Sequence, residues 1–174
     1  MASLMQSGRI GRGSQLSAEW RVYAGESFIE LRLAVLWCEA HKLLKLIVPL
    51  HGESSKRCDG VMGGSIVRPN DGKEWPLRDW TYIAPFGVTA PDSYALDATP
   101  GRLRFTLLRS PILAHHDPHP GTNPRSVIAD QGRHEFLFRF FCGKKLTPEL
   151  LDQHALMCHR PLLAADVTKG MPRR

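Results

Sequence analysis

Two stretches hold the side chains best suited to chemistry. The first is Ala114-His115-His116-Asp117-Pro118-His119-Pro120, with three imidazoles and a carboxylate in seven residues. Imidazole and carboxylate are ordinary ligands for zinc and related metals. Adjacent residues of an extended chain point to opposite sides, however, and two prolines stiffen this run. His115, His116 and Asp117 are therefore a weak candidate metal set, and a polar connecting loop is the favoured reading. The second stretch is Asp130-Gln131-Gly132-Arg133-His134, where a carboxylate and an imidazole four residues apart offer an acid and a base. His134 equally suits a structural role, holding its loop by hydrogen bonds. Arg109, ahead of Ser110-Pro111, can donate a planar fork either to a polar ligand or to a structural carboxylate, and the structural use is favoured.

Two strand patterns position these groups. Leu103, Phe105 and Leu107 alternate with Arg102, Arg104 and Thr106 on one side of the loop. Phe136, Phe138 and Phe140 alternate with Glu135, Leu137 and Arg139 on the other. A period of two marks a strand with one buried face. Ile29, Leu31, Leu33, Val35 and Trp37 form a similar stripe, and so do Leu44, Leu46, Val48 and Leu50. Those last two stripes are expected to pair as an antiparallel hairpin through the polar turn Cys38–Lys42. Residues 51–64 read as loop and Ser65–Arg68 as a short strand. Trp75 and Trp80 are large aromatics suited to core packing or, if exposed, to stacking on sugar rings. Thr147-Pro148-Glu149 starts a helix, with Thr147 as N-cap and Leu150, Leu151, His154, Ala155 and Cys158 on one face.

Thirteen prolines and 15 glycines in 174 residues favour many turns and an all-β, β-rich fold. The expected organisation is a disordered lead-in over 1–18, a β-sandwich domain over 19–146, a short helix over 147–161 and a loose tail over 162–174. The net charge is +6, but no run of five basic residues and no nucleic-acid motif occurs, so neither a nucleic-acid nor a membrane partner is expected. A basic nucleic-acid binder stays only as a minor alternative. No apolar run is long enough to span a bilayer, no secretory signal opens the chain, and no two of the four cysteines form a C-x-x-C pair. Reduced thiols and a cytoplasmic location follow as expectations. Neither a nucleophile-elbow serine motif nor a phosphate-binding glycine loop is present.

Five segments, taken in order, resemble one family. They are Trp37-x-Glu39-x-His41-Lys42-Leu43-Leu44-Lys45 with Pro49; Gly64 to Arg68-Pro69 followed by Gly72-Lys73-Glu74-Trp75-Pro76 and Trp80; Phe86-Gly87-Val88; Leu107-Leu108-Arg109-Ser110-Pro111; and Asp130 through Phe136. Together they are similar to the C-terminal half of glycoside hydrolase family 38 α-mannosidases, in the bacterial and cytosolic branch, over about residues 20–161. The chain departs from the family over Val88–Asp97.

The resemblance implies an antiparallel β-sandwich of the α-mannosidase C-terminal type, an internal fragment of a longer enzyme. It implies that zinc and the nucleophile of a retaining mechanism belong to a separate catalytic barrel, with no catalytic residue and no cofactor in this chain. The implied substrate is an α-mannoside or oligosaccharide, hydrolysed in mannose catabolism. Arg109, Asp130 and His134 are implied to line the cleft. The alternative is a free-standing carbohydrate-binding or scaffold module without activity.

Overall fold

The computed structural model describes residues 1–52, 54–112 and 127–159. Twelve strands and one helix lie within them. They are β1 (Ala2–Ile10), β2 (Ser14–Val22), β3 (Phe28–Trp37), β4 (Leu43–Pro49), β5 (Lys56–Val61), β6 (Gly64–Pro69), β7 (Glu74–Pro76), β8 (Trp80–Ile83), β9 (Phe86–Thr89), β10 (Ala95–Thr99), β11 (Arg102–Arg109), β12 (Gly132–Cys142) and α1 (Pro148–His159). The strands make two antiparallel sheets. One has eight strands in the order β1-β2-β3-β12-β9-β8-β5-β6, and the other has four in the order β4-β11-β10-β7. This is a β-sandwich with a single short helix, as the alternation of residue types predicts.

The two central stripes fall in opposite sheets and face one another. Leu103 and Phe105 of β11 and Phe138 of β12 are fully buried. Phe105 meets Phe138 edge-on at 5.3 Å between ring centroids, a geometry that the charge distribution of aromatic rings favours. Leu31, Leu33, Val35 and Trp37 of β3 join them from the large sheet, and Leu96 and Ala98 of β10 from the small one. A second core lies on the outer side of the large sheet. There Leu151 and Ala155 of α1 cover Phe28, Phe141 and Trp80. The Thr147 hydroxyl accepts the Leu150 N–H at 3.3 Å, so the expected N-cap is in place.

Three expectations are corrected. Residues 1–18 are not a disordered lead-in, because β1 pairs with β2 through all nine of its positions, from Ala2↔Val22 to Ile10↔Ser14. Their Gly, Ser and Arg content hid this. β1 is almost wholly exposed and is held by its backbone ladder, while β2 inserts Ala18 into the core and packs Leu16 and Trp20 against it. Next, β3 and β4 do not form a hairpin. β3 pairs with β2 and β12 in the large sheet, and β4 pairs with β11 in the small one. Both stripes are core-facing, and a chain that crosses from one layer to the other buries both. Finally, residues 56–61, expected as loop, form β5. That strand lacks an apolar stripe because its buried side chains are a charge pair. Asp59 accepts two bonds from the Arg57 Nε at 2.9–3.0 Å and one each from Arg68 and Thr81. Residues 160–174, with the expected tail, lie outside the described residues.

Close approaches give the fold testable weak points. A Cβ on Gly87 would sit 2.6 Å from Leu151 Cδ1, beneath α1, and a Cβ on Gly60 would sit 2.4 Å from the Arg78 backbone oxygen. Side-chain carbons of α1 can shift, whereas the backbone at Arg78 cannot shift without breaking the Arg78 N–H bond to Gly60 O. Gly87→Ala should cost about 1–3 kcal/mol of unfolding free energy, and Gly60→Ala more, as measured by urea titration. His154 supplies a second check. Burial, then the nearby Arg139 charge, lowers its pKa below the usual 6.5. Its folded pKa lies below its unfolded one, so stability is full above about pH 6.5 and declines as pH falls toward the folded value. His154→Leu should flatten the stability profile across that window while leaving the loss at lower pH, where Glu30 titrates.

Candidate functional site

Arg109, Asp130 and His134 come together at one end of the sandwich, where three chain segments meet. β3 ends at Trp37, β11 ends at Arg109 and β12 begins at Gly132. Each segment is tied to the next. The Ser110 hydroxyl, buried at 1% exposure, accepts from Lys42 N–H at 3.1 Å and donates to Lys42 O at 3.0 Å. Ser110 N–H donates to Lys42 O at 2.9 Å, and His41 N–H donates to Ser110 O at 2.7 Å. Gln131 Nε2 donates to Glu39 O at 2.8 Å. Pro111 O accepts from Ala129 N–H, and Ile112 bridges Ile128, so the stem of the intervening loop is clamped.

Within this knot the candidate side chains are mostly committed. Asp130, at φ 56°, turns its carboxylate to the backbone N–H of Arg109 at 3.0 Å. The His134 Nε2 lies 3.0 Å from the Asp130 carbonyl oxygen. A carbonyl only accepts, so Nε2 carries a proton, and the tautomer that makes this bond leaves Nδ1 as the ring's acceptor. The ring also stacks on Phe136. His134 thus meets the backbone of Asp130 and not its carboxylate, and the acid–base pair suggested by their spacing is not formed. Gly132, at φ 103°, makes the bend that permits this arrangement. The Arg109 guanidinium pairs with Glu74, which is the structural use favoured from sequence.

The residues that sequence reasoning passed over are the fasteners. Glu39 is 95% buried, and its Oε1 collects the N–H groups of Arg12 and Gly13 at 2.7 and 2.9 Å and the Ser14 hydroxyl at 3.2 Å. The Gly13 and Arg12 bonds hold its pKa below the usual carboxylate range. Glu39 therefore fixes the β1–β2 turn against the end of β3. The signal was present in the Trp37-x-Glu39 segment, but a carboxylate just beyond a strand looks like any polar turn.

Trp80 does not offer a stacking face, because it is 97% buried and its Nε1 donates to Asp152 at 3.1 Å. Trp75 is half-exposed, with the Arg68 guanidinium over its ring at 5.4 Å. Beside Trp80, an open cleft of about 850 Å³ separates the β5–β6 hairpin from α1. Asp79 and His159 on its wall pair with each other at 2.8 Å. His115, His116 and Asp117 lie outside the described residues. Among the described residues no three His, Cys, Asp or Glu side chains converge as metal ligands, so these residues do not fit the zinc that the resemblance associates with the family.

Residues 1–119 match the family model described as the glycosyl hydrolases family 38 C-terminal domain. The chain belongs to glycosyl hydrolase family 38. A comparison with curated protein sequences finds no match. Among solved structures, a family 38 protein from Enterococcus faecalis superposes with a TM-score of 0.68 at 14% identity, covering 86% of this chain and 18% of that one. An α-mannosidase from Enterococcus faecalis V583 gives a TM-score of 0.69 at 13% identity, again with 86% and 18% coverage. At such identity the likeness concerns the fold, and it extends to the sandwich described above. The chain spans less than a fifth of the length of these structures.

Ser110 gives the site its test. Ser110→Ala removes a buried hydroxyl and strands the Lys42 N–H, so it should cost about 1–3 kcal/mol by urea titration. Amide exchange should quicken at Lys42 while the β1–β2 ladder keeps its protection.

Proposed function

We propose that the chain serves as the C-terminal β-sandwich of a zinc-dependent retaining α-mannosidase, acting in the cytoplasm on α-mannosides or oligosaccharides. The match of residues 1–119 to the family's C-terminal domain carries this reading. Its role is to support a separate catalytic barrel and to present the knot of Arg109, Asp130 and His134 as one wall of the cleft. Retaining hydrolysis needs two carboxylates roughly 5 Å apart across the glycosidic bond, one of them free to attack. Among the described residues, the carboxylates of the knot are spoken for: Asp130 binds a backbone N–H, Glu39 holds a turn, and Glu74 pairs with Lys45 and Arg109. The nucleophile and the metal are therefore assigned to the barrel, and this chain's contribution is positional. At the cleft wall, Nδ1 of His134 is the acceptor available to a sugar hydroxyl.

The purified chain, given an aryl α-mannoside and zinc, should release no aglycone. Turnover that persists through further purification would reject the assignment of hydrolysis to another domain. Calorimetric titration separates the remaining alternative. Micromolar binding of mannosides by the isolated chain would favour a free-standing carbohydrate-binding module over a supporting domain. In an enzyme that carries this sandwich together with a barrel, His134→Phe should raise KM for a mannoside several-fold with little change in kcat. An unchanged KM would remove the knot from the cleft.

A further inference from the structure

The outward side of the four-stranded sheet carries a row of cations whose hydrogen-bonding capacity the protein does not use up. Leu103 and Phe105 of β11 are fully buried, so Arg102, Arg104 and Thr106 point away from the core. A shift in register between Thr106 and Leu108 then brings Arg109 back to that outward side. Lys45 lies opposite Thr106 on β4. Alternate strand residues are about 7 Å apart, so Arg102 and Arg104 form a regular pair, with Lys45 and Arg109 continuing the row.

Four cations face two carboxylates, and both carboxylates are locked. Asp97, 2% exposed, is held between Lys45 and Arg104. Glu74 takes Lys45 at 2.7 Å, the Thr106 hydroxyl at 2.6 Å, and Arg109. Asp97 and Glu74 are direct cross-strand neighbours, an arrangement that repels unless cations intervene. Neither carboxylate can therefore swing away to neutralise Arg102. Arg102 spends only its Nε, on the Thr99 hydroxyl at 3.0 Å, and Arg104 only its Nε, on Asp97. The Nη ends of both forks bond no other described residue.

We propose that this face binds a linear anionic polysaccharide through sulfate or carboxylate groups carried along the chain. Guanidinium forks recognise both groups by paired N–H donors. The alternatives fit less well. Sequence-tolerant nucleic-acid grooves stack bases on aromatic rings, and the outward positions here carry none: Trp75 lies beside buried Leu96, on the other side of the sheet. A protein partner would be anchored by a large side chain in a pocket, and the outer face of β4 and β11 carries Leu43, Ile47, Pro49 and the charges themselves. Arg109 borders both sites, but Arg102 and Arg104 take no part in the proposed mannoside cleft, so variants at these two test this face alone.

The test titrates the full chain with heparin, polygalacturonate, neutral dextran and single-stranded DNA at several salt concentrations. Binding to heparin or polygalacturonate, tighter than to DNA and absent with dextran, is expected; heparin against polygalacturonate distinguishes sulfate from carboxylate. The double variant Arg102→Gln/Arg104→Gln should lose about tenfold in affinity and flatten the salt dependence by up to about two charges. Arg9→Gln/Arg133→Gln removes the same charge from the large sheet and should change affinity less than twofold. Arg104→Gln strips a partner from buried Asp97. If the double variant melts early, Arg102→Gln alone decides, with about a threefold loss at an unchanged melting temperature. DNA binding as tight as the polysaccharide, equal losses in both double variants, or no binding beyond dextran would each overturn the proposal.

Discussion

Everything in this domain depends on pressing two antiparallel sheets together along one apolar face each. The contact of Phe105 with Phe138 sits at the centre of that interface. Neither β11 nor β12 can bury its stripe within its own sheet, because neighbours in a sheet lie side by side and leave both faces open. Burial at about 25 cal/mol per Å² of apolar surface is realised only when the layers close. The outward positions then become free for charge, and the protein uses them: the ion network of Lys45, Glu74, Asp97 and Arg104 covers one layer, and α1 covers part of the other.

Closing two layers leaves the sandwich ends to be secured, and there the polar residues matter most. Ser110 ties the end of β11 to the residue before β4, Gln131 ties the residue before β12 to the segment after β3, and Glu39 holds the β1–β2 turn, through backbone groups that would otherwise face water or the core edge. The candidate residues Arg109, Asp130 and His134 sit in the same knot, and their geometry is set by its fastening. A domain built this way fixes the chain segments that meet at its end, which suits a wall for chemistry performed elsewhere. It also explains why a cluster rich in Asp, His and Arg need contain no reacting group: most of its hydrogen bonds are already made.

Much of the fold is legible in the sequence. The stripes at Ile29–Trp37, Leu44–Leu50, Leu103–Leu107 and Phe136–Phe140 are strands, and Thr147-Pro148-Glu149 does open the helix. Strands whose buried positions are polar were not legible. β5 hides its burial in the Arg57–Asp59 pair, and β1 buries almost nothing. Binary patterning detects apolar burial only, so a strand held by ions or by its ladder alone escapes it.

The sequence by itself determined the class of fold, the apolar stripes, the helix start and the order of segments that resembles family 38. Those features are local, written in residue type and spacing over a few positions. Only the tertiary structure decided which sheet each stripe joins, that β3 and β4 part company, and that Glu39 reaches back 25 residues to Ser14. It also decided that His134 meets the Asp130 carbonyl and that the Asp130 carboxylate turns to Arg109. The reason is physical: period-two alternation says that a face is buried but not against what. A polar side chain's role is set by the partner within hydrogen-bond reach, and that partner is brought there by the packing of distant segments.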